Sequence, residues 1–110
     1  MEIVTVIKLM QECQSRLAKA SRELFRLAHS KAEAEQVYRS ALGQEILMLK
    51  TSGLQATLIP DVARGNTADL KLQRDLADGL FTAGRDSISA LQSEARILDS
   101  MIKYQKDLEG

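Results

Sequence analysis

One proline interrupts the whole chain. Pro60 stands alone among 110 residues, and residues 3–51 contain no glycine except Gly43. A proline inside a helix removes a backbone hydrogen bond and collides with the preceding turn. Helix breaking is therefore concentrated near residue 60, and the long stretches on either side are free to be helical. Their apolar residues obey that freedom. From Ile3 through Val6, Met10, Cys13, Leu17, Ala20, Leu24 and Leu27, then Ala34, Tyr38, Leu42, Ile46 and Leu49, steps of three and four dominate. That period is an amphipathic helix over about 3–52. A second stripe runs from Leu70 through Ala77, Leu80/Phe81, Ile88, Leu91, Ala95, Leu98 and Ile102 to Leu108, giving a helix over about 67–108.

The expected fold is all-α, a long antiparallel two-helix hairpin in one domain. Residues 53–66 form the connection and hold a short one-turn helix. Aromatic residues make up only 4% of the chain. Leu, Ile, Ala, Val and Met supply the apolar content instead, as in coiled-coil seams. Folding the helices back symmetrically pairs residues whose numbers sum to about 119, and large side chains then meet small ones. In that register Leu24 meets Ala95, Ala20 meets Leu98, Leu17 meets Ile102, and Tyr38 meets Phe81. Lys31 falls on the stripe and predicts a wetter middle.

Two helices cannot enclose a core. Val4, Leu9, Phe25, Val37, Leu47, Leu72, Leu76 and Ile97 lie off the main stripe, and the symmetric register leaves residues 1–9 overhanging. A homo-oligomeric bundle is expected, with Ile3, Ile7 and Met10 at the subunit contact.

Charge narrows the function classes. Fifteen basic groups balance fifteen acidic ones. A neutral chain lacks the basic stripe that duplex DNA requires. No apolar run approaches the length of a membrane span. The first residues lack the cationic start and small-residue cleavage site of a signal peptide, so the cytoplasm is the expected location. Cys13 has no disulfide partner and occupies a seam position, as a small buried hydrophobe would. His29 is the only histidine, and no Glu-x-x-His spacing accompanies it. No nucleophile sits beside a recognisable base, and no phosphate loop is present. The chain reads as a non-enzyme with no cofactor and no metal.

The bend carries the remaining signal. Thr51-Ser52-Gly53 ends the first helix, with Gly53 suited to a left-handed position. Leu54, Leu58 and Ile59 make an apolar hook for the open end of the bundle. Pro60 and Asp61 start a short helix, Gly65 closes it, and Asn66 or Thr67 caps the next. Two helix starts therefore lie among Lys50, Thr57, Arg64, Lys71 and Arg74. Two outcomes are open: the basic residues pair with Asp61, Asp69 and Asp75, or they bind an anion. In the second, Arg64 and Arg74 grip it, Lys50 and Lys71 add charge, and Thr57 and Asn66 donate hydrogen bonds.

The words "ATLIPDVARG" and "LKLQRD", with "LMQECQSRLAKASREL" before them, resemble small helical-hairpin proteins of phages and prophages. The likeness covers most of the chain. It implies an early-gene product acting in the host cytoplasm, without implying a chemistry. The leading expectation is a counter-defence protein that sequesters a small anionic or nucleotide signal at the bend. An inhibitor or scaffold that binds a host protein through a helix face is the alternative, and a recombination accessory is the third.

Overall fold

A computed structural model describes residues 1–109, and these are helical apart from the chain start and the connection. Helix α1 spans Ile3–Thr51, α2 spans Ile59–Asn66 and α3 spans Ala68–Glu109. No described helix is long and apolar enough to cross a membrane. The chain divides into two compact units: Met1–Arg26 with the stretch from Thr82 onward, and Leu27–Phe81. In each unit a segment of α1 packs against a segment of α3.

In the first unit Val6, Cys13 and Leu98 form the buried cluster, with Leu9, Met10, Leu17, Leu91 and Met101 packed around it. The Cys13 thiol donates to the Leu91 carbonyl at 3.3 Å, so the lone cysteine is a satisfied core residue. Arg16 pairs with Glu94 at 2.8 Å, and the Gln105 amide donates to the Met1 carbonyl.

These contacts overturn the symmetric register. Leu98 packs with Val6 and Cys13, not with Ala20. Arg74 lies against Tyr38, where the symmetric register sets Phe81. The helices are shifted by roughly two to three turns, and the connection supplies the reason. Asn66, at the end of α2, bonds to Glu45 in α1 at 2.5 Å, so α2 lies back beside the last turns of α1. Helix α3 consequently begins opposite residues well before the end of α1. A symmetric hairpin ignores this offset.

The overhang of residues 1–9 disappears with that register. Val6 is fully buried, and Met10 packs into its own unit's core. Ile3 is half-buried, and Ile7 retains 41% exposure. Of Ile3, Ile7 and Met10, the residues expected at a subunit contact, Ile7 is exposed and the other two are half-buried.

In the second unit Tyr38, Ile59, Ala63 and Thr67 are buried. Ile59 is the part of the apolar hook that goes inside, while Leu58 stays 48% exposed. Lys31 is neutralised rather than merely wet. It pairs with Asp78 at 3.1 Å and lies 4.8 Å from the centre of the Phe81 ring.

Candidate functional site

The bend belongs entirely to the second unit. Helix α1 ends as its sequence suggests. Gly53 has φ +82°, the Leu54 amide donates to the Leu49 carbonyl, and the Gly53 amide donates to Lys50. This paired arrangement is the Schellman stop, in which a left-handed residue lets the chain reverse onto the last carbonyls. Thr51 and Ser52 hydroxyls donate back to Leu47 and Leu49.

Helix α2 has Pro60 and Asp61 in its first turn, where a missing amide and a negative charge are both tolerated. Its second half departs from expectation. Gly65 does not close the helix, which continues to Asn66. Thr67 is not an N-cap. Its hydroxyl donates backwards to the Ala63 carbonyl at 2.8 Å, and its amide donates to the same carbonyl. The Lys71 amide already bonds to the Thr67 carbonyl, so α2 runs into α3 with one irregular residue between them. At the expected second helix start, the Thr67 amide is therefore already taken up by the Ala63 carbonyl.

Three of the polar side chains have partners of their own. Arg64 pairs with Asp61 at 3.0 Å, with both groups exposed. Asn66 is engaged by Glu45. Arg74 turns between the helices. Its guanidinium lies 4.5 Å from the centre of the Tyr38 ring, 3.5 Å from Glu35 and 3.1 Å from Asp75. The hydrogen bond to Asp75 raises the Arg74 pKa above its ordinary value, against the cost of burial, with the charges of Asp75 and Glu35 helping. A cation held by two carboxylates and a ring is a structural pin, with little left to offer a ligand. Among the described residues, Lys50 and Lys71 form no ion pair, and Thr57 is exposed. Glu35, Tyr38 and Glu45 are the partners that sequence reasoning missed, since only the true register brings them to the bend.

A different feature of the same unit stands unpartnered. Leu72, Leu76 and Leu80 are 55%, 54% and 59% exposed. Spaced four residues apart, they form one row along α3. The apolar stripe places Leu80 in the hairpin seam; the structure leaves it outside. Asp69 sits one turn before Leu72 and carries no ion pair among the described residues.

No group of three or more His, Cys, Asp or Glu among the described residues has metal-holding geometry. His29 is exposed on α1, 3.6 Å from Glu33. No protein-family model, curated protein or solved structure gives a significant match to this chain.

Proposed function

We propose that this protein is a non-enzymatic binding module that docks a helix of another protein onto the exposed face of α3. The observation carrying this reading is the row Leu72, Leu76 and Leu80, each more than half exposed. Apolar residues at one-turn spacing are the contact pattern of helix-in-groove recognition. Asp69 on the same row defines the partner further. Its chemistry fits an amphipathic helix with leucine-like residues at one-turn spacing and a Lys or Arg one turn beyond them. The accompanying setting is a host-directed phage protein, a part that rests on the resemblance of the bend and the following helix.

Sequestration of a small anion by Lys50, Thr57, Arg64 and Lys71 is the second reading. It is favoured by the two lysines without carboxylate partners, and weakened by the engagement of Arg74. One comparison separates the two. Protein partners isolated from the producing cell are purified and rebound by wild type, Leu76→Asp and the Arg64→Ala/Lys71→Ala double variant. The docking reading expects a stoichiometric partner whose binding is lost in Leu76→Asp and kept in the double variant. Equal binding by wild type and Leu76→Asp, or saturable nucleotide binding lost only in the double variant, would overturn it.

A further inference from the structure

A second apolar row occurs in the first unit, with a different charge pattern. Ile97, Met101, Tyr104 and Leu108 step by four, three and four along α3, so they share one face. Ile97, Tyr104 and Leu108 are 62%, 65% and 69% exposed. Shallow grooves run beside the row at Met101 and Tyr104, and beside Leu108 against Met1 and Val4. The row is bounded towards the start of α3 by Glu94, which is held by Arg16.

The flank of this row carries one charge of each sign. Arg96 donates to the Ser93 hydroxyl at 3.1 Å. Asp107 is exposed. Neither is in an ion pair among the described residues, whereas nearby Lys103 is held by Asp99 at 3.0 Å. Residues 96 and 107 are three helical turns apart on the same side of the row. That distance matters when the row meets itself.

We infer that the first unit associates with a second copy of this chain through an antiparallel contact of the two α3 rows. A two-fold axis between Met101 and Tyr104 sets Ile97 against Leu108 of the second copy and Met101 against its Tyr104. The same operation brings each Arg96 beside Asp107 of the other copy, giving two symmetric pairs. A contact of this kind is isologous, so each gain is made twice. The charge pattern argues for a second copy over a foreign helix, because the row supplies its own complement on both sides of the axis. Six side chains per copy make a contact at the small end of specific interfaces, and a reversible association is expected.

This surface is separate from the Leu72–Leu76–Leu80 row, and its test leaves that row intact. Sedimentation analysis of the full chain is run from about 1 to about 100 µM, with helicity checked by circular dichroism. Wild type is expected to shift from monomer to dimer over that range. Arg96→Asp and Asp107→Arg are each expected to weaken dimerisation at least tenfold while remaining fully helical. The double exchange Arg96→Asp/Asp107→Arg restores the complement and returns the wild-type midpoint. A wild-type monomer throughout would leave the row to a foreign partner and overturn the inference. So would single exchanges without effect, or a double exchange no better than either single one.

Discussion

Leu98→Ala is the most informative perturbation of the fold. Leu98 is 6% exposed and lies in the cluster with Val6 and Cys13. Truncation to alanine removes three carbons from a nearly dry site. At about 0.8 kcal/mol per buried methylene, the transfer loss alone is about 2.5 kcal/mol. The void adds to this, and leucine-to-alanine changes in well-packed cores reach about 5 kcal/mol. Here the surroundings can relax. Met10 and Met101 border the cluster and are only partly buried, and a flexible thioether fills irregular space well. We therefore expect about 2.5–3.5 kcal/mol. Phe25→Ala is the control: at 81% exposure the ring contributes almost nothing to the core, and a change within about 0.5 kcal/mol is expected. Urea titration followed by helical circular dichroism gives both numbers from the shift in midpoint at constant slope. Protein concentration must be held fixed, since self-association adds apparent stability. A loss below about 1 kcal/mol for Leu98→Ala, or one equal to that of Phe25→Ala, would refute the described core.

Gly53→Ala places a side chain at φ +82° and should cost about 1 kcal/mol in the same titration, without changing helix content. Arg74→Ala should lower the melting temperature more than Arg64→Ala does, because Arg74 joins Tyr38, Glu35 and Asp75 while the Arg64 pair is exposed; equal shifts would argue against the pin. Hydrogen bonds from Arg26 hold the Glu23 carboxyl below its ordinary range, so their contribution is present above the ordinary carboxylate pKa and disappears as pH falls through the lowered value. An NMR titration should show that lowered value, and Arg26→Ala should return it to the ordinary range.

The helices were legible because their period is long and unbroken. Gly53 marks the stop of α1 and Pro60 the start of α2 for stated steric reasons, and both hold their expected roles. The register was not legible. It depends on the direction in which α2 leaves the bend, fixed by Asn66 reaching Glu45 and by the burial of Ile59 and Ala63. Nothing in the period of either long helix encodes that. The error then spread to the site. With the symmetric register opposite it, Arg74 has only the nearby aspartates as expected partners; the Asp75 pair is present, and Tyr38 and Glu35 are the company the sequence does not show. Thr67 departs from the sequence pattern because a threonine before a helix usually accepts from the helix amides, whereas here its hydroxyl donates to the helix behind it. The Leu72, Leu76 and Leu80 spacing was present in the sequence. Leu80 was absorbed into the seam because it adjoins Phe81, and the row lost its third member.

Photo-cross-linking from α3 in the producing cell tests the docking reading most directly. A photoreactive residue is placed at position 72, 76 or 80 in separate variants, and at 57, 64 or 71 in a matched set. The account predicts one protein partner cross-linked from the leucine row, through a helix with apolar residues at one-turn spacing, and none from the bend. Cross-links confined to positions 57, 64 and 71, or no protein partner from the leucine row, would contradict it.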